Sequence, residues 1–155
     1  MSNQSDYSSK EQVNHADRKE SEAQLSSCAI NTIDEKSNHT MTILIAEDVI
    51  SNFLLLKKIL EKNYHILHAL DGQEAIDMFH KYTPDLILMD IKMPNVNGWE
   101  ATRIIRQHSS TIPIIAQTAF AYDADKEKAF KLGFNDFLTK PISVSLLRQT
   151  LKKYI

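Results

Sequence analysis

Cysteine is nearly absent from this 155-residue chain: Cys28 stands alone. No disulfide can form within it, which suits a reducing compartment and a cytoplasmic location. Only three glycines are present, and neither a Walker phosphate loop nor a glycine-rich dinucleotide turn occurs. Long hydrophobic runs are also missing. None approaches the ~18 residues that a membrane span needs, and the N-terminus lacks the apolar core of a secretion signal. The net charge is small, −2, which argues against direct nucleic-acid binding over a broad basic surface and against an anionic-membrane surface. What remains, 43% hydrophobic and 25% charged residues, is ordinary for a soluble globular protein.

Composition shifts near residue 40. Residues 1–40 are rich in Ser, Asn, Gln, Glu and Lys. They hold seven acidic residues (Asp6, Glu11, Asp17, Glu20, Glu22, Asp34, Glu35) against four basic ones (Lys10, Arg18, Lys19, Lys36). Such a stretch buries too little apolar surface to offset its ordering entropy, so it is expected to be a disordered tail or linker. A helix over Glu11–Leu25 would be marginal without packing. Residues 41–155 are expected to form one domain.

From Thr42 onward, short apolar runs alternate with helical patterns. Ile43–Ala46, Leu86–Met89 and Ile112–Ala116 are apolar at nearly every position, as suits strands of a parallel sheet covered on both faces. Tyr64–Leu70 reads as a further strand and Phe137–Leu138 as a very short one. Between them, Val49, Phe53, Leu56 and Leu60 repeat at helical spacing, as do Ala75, Ile76 and Phe79 after Asp71–Gly72. Val144, Leu147, Leu151 and Tyr154 mark a last helix that Ser143 could cap. Asp123–Leu132 is poorer in large apolar residues, so its helix should dock shallowly, with Gly133 as its stop. The order β-α repeated five times predicts an α/β fold: a doubly wound parallel sheet with helices on both faces.

In open α/β sheets, sites form beyond the carboxyl ends of the strands. Glu47 and Asp48 follow the first strand, Asp90 ends the third, Thr118 and Ala119 follow the fourth, and Lys140 and Pro141 follow the fifth. Three carboxylates, a hydroxyl and an ammonium thus converge on one edge. Two like charges ~4 Å apart repel by ~1 kcal/mol in water and ~4 kcal/mol at an effective dielectric of ~20, so the acids need cations. Lys140 supplies one charge. A hard divalent ion on oxygen ligands supplies the rest, and so few ligands suit Mg²⁺. A carboxylate beside Mg²⁺ and a lysine is a nucleophile suited to phosphoryl transfer. Asp90, ending the central buried run, is the candidate nucleophile; Glu47 and Asp48 are better placed to hold metal.

The set Glu47–Asp48, Asp90-Ile91-Lys92-Met93-Pro94, Gly98, Thr118–Ala119 and Lys140–Pro141 resembles the response-regulator receiver domains of two-component phosphorelay systems, over nearly all of residues 41–155. The resemblance implies a flavodoxin-like five-stranded sheet of order 2-1-3-4-5. It implies that Asp90 takes a phosphoryl group from a phosphohistidine on a histidine kinase or histidine phosphotransfer protein. Asp48 and Asp90 would ligate Mg²⁺ directly, Glu47 through water, and Lys92 through its backbone carbonyl. Thr118 and Lys140 would each engage a phosphoryl oxygen, and Lys140–Pro141 would be cis. Phe137 matches the switch aromatic that swings inward as Thr118 moves. This position is often tyrosine in the family, and phenylalanine has no hydroxyl to present to a partner. Gln117–Ala121 and Ala46–Leu60 look most like receivers attached to hybrid histidine kinases.

Each residue also has a plainer reading. Asp48 could cap a helix, Thr118 could end a strand, Lys140 could be a surface lysine, Phe137 could be core, and Gly98 could serve a turn that needs positive φ. The histidines show no ligand spacing. A haloacid-dehalogenase-type phosphatase would need a second acid two residues after Asp90, where Lys92 stands. A phosphorylatable signalling module is therefore expected rather than an enzyme acting on free substrates or an inert scaffold. With no output domain expected in this chain, the signal would leave through contacts with a downstream protein. The face formed by Tyr122–Ile155 is where the resemblance places them.

Overall fold

The computed structural model describes residues 40–119 and 123–155, with side chains described from Lys126 in the second stretch. Of the tail expected over residues 1–40, all but the last residue lies outside the described residues, with the short helix expected within it and Cys28, as do Phe120–Tyr122. Among the described residues ten elements alternate: β1 (Thr42–Ala46), α1 (Ile50–Leu60), β2 (His65–Ala69), α2 (Gly72–Tyr82), β3 (Leu86–Asp90), α3 (Gly98–His108), β4 (Ile114–Thr118), α4 (Asp123–Leu132), β5 (Asp136–Thr139) and α5 (Val144–Leu151). The sheet is parallel throughout, with order β2-β1-β3-β4-β5.

The uniformly apolar strands bury both faces. Side chains alternate across a strand, and the core divides accordingly. Leu44, Ala46, Ile87, Met89, Ile114 and Ala116 pack with residues of α2 and α3 on one face. Ile43, Ile45, Leu86, Leu88, Ile115 and Leu138 pack with Leu56, Leu60, Leu147 and Leu151 of α1 and α5 on the other. Each large aliphatic side chain buried this way stabilises by about 1.5–3 kcal/mol, which fixes register and hence which residue arrives last at each strand end.

Several local expectations need correction. Val49 precedes α1 and is exposed; the buried stripe of that helix is Leu56 and Leu60. Asp48 does not cap α1, whose N-cap position is Val49. β4 begins after Pro113, so Ile112 is outside it. Ser143 occupies the N-cap of α5 without capping it; its Oγ lies 2.8 Å from that of Ser145. Val144 is exposed, and Tyr154 lies beyond α5 with its hydroxyl donating to the Asn135 carbonyl at 2.9 Å. Gly98 does not have positive φ. Its reason is proximity: a Cβ there would collide with the backbone of Asp90 and Ile91. Gly133 has φ +102° and does terminate α4. Within α4, Ala129 is buried and Phe130 exposed, a shallow docking.

Candidate functional site

The carboxyl edge of the sheet gathers the residues that the sequence singles out. Glu47 and Asp48 extend β1, Asp90 is the last residue of β3, Thr118 the last of β4, and Lys140 follows β5 directly. Lys92 is two residues beyond β3. Lys140 Nζ donates to Asp90 Oδ2 at 2.6 Å and to Glu47 Oε2 at 2.7 Å. The Lys92 backbone N–H donates to Asp90 Oδ1 at 3.1 Å. The Lys140–Pro141 bond is cis, and the Lys140 N–H donates to the Thr118 carbonyl at 2.7 Å.

Burial sets the electrostatics. Glu47 is fully buried and Asp90 is 5% exposed. Burial pushes the Asp90 carboxyl above its ordinary range, and the charge of Glu47 adds to this; Lys140 and the Lys92 N–H oppose it without cancelling it. For Lys140, burial disfavours the charge, but its bonds to Asp90 and Glu47 outweigh burial and raise its pKa. The ammonium is thus held in place by two carboxylates that would otherwise repel each other.

Carboxylate oxygens of Glu47, Asp48 and Asp90 lie within 4.8 Å of one another, with Asp48 the most exposed of the three. No other such cluster of three occurs among the described residues. An all-oxygen donor set fits a hard divalent cation such as Mg²⁺. Both oxygens of Glu47 are already engaged, one by Lys140 and the other by Asn52 Nδ2 at 2.9 Å.

Asn52 was not signalled by the sequence, because a polar residue near the start of a helix usually faces solvent. Nor was His68: its Nε2 donates to the Glu47 carbonyl at 2.9 Å, while its ring stacks on Phe53, centroids 3.5 Å apart. The Glu47 N–H completes the set by donating to the Ala69 carbonyl at 3.0 Å. Edge strand β2 therefore holds the backbone of the buried acid. The half-buried ring of Phe137 packs edge-on to Phe130 at 6.2 Å, with Lys126 Nζ 4.9 Å from its centroid.

This sheet order, with acids just after β1 and at the end of β3 and a lysine after β5, defines a class. The chain belongs to the response regulator receiver domain family, which matches residues 43–152. It is 37% identical over 119 residues to the polar-differentiation response regulator DivK of Brucella ovis, covering 75% of this chain and 97% of that protein. The receiver domain of the sensor histidine kinase PA1611 from Pseudomonas aeruginosa, solved with a magnesium ion coordinated in its active-site cleft, is 33% identical with a TM-score of 0.68. That match covers 74% of this chain and 96% of the PA1611 chain. The receiver domain of Saccharomyces cerevisiae Ssk1, solved with the histidine phosphotransfer protein Ypd1, is 30% identical with a TM-score of 0.70, covering 74% of this chain and 88% of that one. The protein is thus a receiver module of two-component signal transduction. No helix among the described residues is long and apolar enough to cross a membrane.

Proposed function

We propose that Asp90 is the phosphoacceptor of this receiver and that Lys140 and Thr118 engage the phosphoryl oxygens. The observation that carries this reading is the Lys140 ammonium, 2.6 Å from the buried Asp90 carboxylate and 2.7 Å from Glu47. An Asp90 carboxylate oxygen attacks phosphorus and the bond between phosphorus and the donor imidazole nitrogen breaks; the imidazole, already protonated on its other ring nitrogen, keeps the electron pair and leaves as neutral histidine. The product is an aspartyl phosphate. Lys140 then follows the negative charge from the carboxylate to the phosphoryl group.

Asp48 and Asp90 would hold Mg²⁺ directly, together with the Lys92 carbonyl, while Glu47, with both oxygens occupied, acts through water. When bound, the ion neutralises charge on the phosphoryl oxygens. Thr118 and Phe137 form the switch: Thr118 moves toward the phosphoryl group and Phe137 turns inward. The donor is the phosphohistidine of a histidine kinase or phosphotransfer protein. Val49, Ile50 and Leu54, all about half exposed around the start of α1, offer it an apolar landing surface beside Asp48. The output is a contact with a downstream protein, in the cytoplasm. The chain catalyses only its own phosphorylation and dephosphorylation.

Incubation with phosphoramidate and Mg²⁺ should add one base-labile phosphoryl group, read by intact mass. Equal uptake by Asp90→Asn would overturn the assignment.

A further inference from the structure

Gln117 is fully buried in β4, and neither its Nε2 nor its Oε1 has a partner among the described residues. A buried amide without hydrogen bonds destabilises the fold, because its lost hydration is not replaced. Methionine or leucine would fill similar space without that penalty. Such a group in a native fold needs a reason.

Its neighbours supply one. Gln117 stands in register with Asp90 on β3 and with Leu138 on β5. Strand alternation puts it on the same face as Ile115, Leu88 and Leu138. Asp90 lies two residues after Leu88, Glu47 two after Ile45, and Lys140 two after Leu138. The unpartnered amide is therefore flanked by the phosphoacceptor strand on one side and the lysine strand on the other. Lys140 Nζ carries three protons, of which two are committed, to Glu47 and Asp90.

We infer that Gln117 is a positioning residue for Lys140 in the phosphorylated state. The inference rests on Asp90 being the phosphoacceptor. Once Asp90 is phosphorylated, its carboxyl group loses the charge that holds the ammonium at rest. Lys140 leaves Oδ2 for a phosphoryl oxygen, and Gln117 Oε1 accepts one of its N–H groups. Gln117 Nε2 donates to the remaining carbonyl oxygen of the Asp90 acyl phosphate. The amide is unsatisfied at rest and satisfied after transfer, so it favours the phosphorylated state.

The test uses the full chain with Gln117→Met, which keeps approximate volume and removes the amide. Urea unfolding without phosphodonor should show the variant at least as stable as wild type. Phosphorylation by phosphoramidate with Mg²⁺ should keep its half-saturating donor concentration and lose about tenfold in maximal rate, the size of one hydrogen bond to a charged group. Affinity for beryllofluoride should fall by about the same factor. In wild type, the Gln117 side-chain NH₂ resonance should shift and become protected from exchange on beryllofluoride addition, a readout independent of how any variant folds. Unchanged rate and beryllofluoride affinity, an unmoved resonance, or a variant less stable than wild type at rest would each overturn the inference. A wild-type chain that takes up no phosphate would overturn the Asp90 assignment with it, whereas normal wild-type uptake with an indifferent Gln117→Met sinks the Gln117 role alone.

Discussion

Lys140 Nζ lies 2.7 Å from Oε2 of Glu47, a carboxylate with no solvent exposure, although 93 residues separate them in sequence. The same ammonium neutralises Asp90. Removing one partner from a buried ionic cluster leaves an uncompensated charge and typically costs 3–5 kcal/mol. Lys140 is partly exposed, so Lys140→Met is expected to destabilise by about 2–4 kcal/mol in urea unfolding. Asp90→Asn in that background should recover part of the loss. Strict additivity of the two changes would contradict the coupling.

Asn52 holds the other oxygen of Glu47. Groups that orient a metal-site carboxylate typically change metal affinity by ~10–100-fold when removed. Asn52→Ala should therefore weaken Mg²⁺ binding by about tenfold in calorimetric titration, while the unfolding midpoint moves much less than it does for Lys140→Met. Unaltered Mg²⁺ affinity would reduce Asn52 to a packing role.

Gly98 and Gly133 separate two uses of glycine. A Cβ at Gly98 would run into the Asp90 backbone, so Gly98→Ala should destabilise by about 1–3 kcal/mol and slow phosphoryl uptake, because the end of β3 must give way. Gly133→Ala is strained by its φ of +102°, far from Asp90 in sequence, and should lower stability with uptake per folded molecule preserved. Stopped-flow phosphorylation beside urea titration distinguishes them.

Asp71 caps α2 by accepting from the Glu74 N–H at 2.9 Å and accepts from Asn95 Nδ2 at 2.8 Å. The Asn95 bond first, then the cap, holds its carboxyl below the ordinary value of 3.8. A folded-state pKa below the unfolded one stabilises fully above the unfolded value and is lost as pH falls through the folded one. The stability difference between wild type and Asp71→Ala should therefore be constant near neutrality and shrink below about pH 4, measured by urea titration across pH. A difference that grows with acid would reverse the sign assigned here.

Much of the fold was legible because both faces of the sheet are covered, which leaves runs such as Leu86–Met89 uniformly apolar. The clustering of the candidate site was legible because chemistry-bearing residues stand at or just past the ends of those runs. Helix α1 was less so: Ile50, Phe53, Leu54, Leu55, Leu56, Ile59 and Leu60 surround its axis, so spacing could not say that only Leu56 and Leu60 would be buried. Gly98 was misread because backbone proximity to Asp90 exists only once α3 docks. His68 and Glu47 lie 21 residues apart, and their contact exists only when β2 pairs with β1. Gln117 had a visible signal, a polar residue directly after the apolar run Ile112–Ala116 and still within its strand. Its meaning depends on register with Asp90, which a single strand cannot reveal.

The Lys140 contact with Glu47 also makes the reactive centre a record of assembly. β1 contributes the acid, β5 leads to the ammonium, and β3 and β4 lie between them in the sheet. Closing so long a chain segment is entropically unfavourable until the intervening strands have paired. A chain folded only as far as β4 would hold its acids without their cation. Competence to accept phosphate would therefore arrive with the last strand, so that a truncated or half-folded copy would be silent rather than wrongly active.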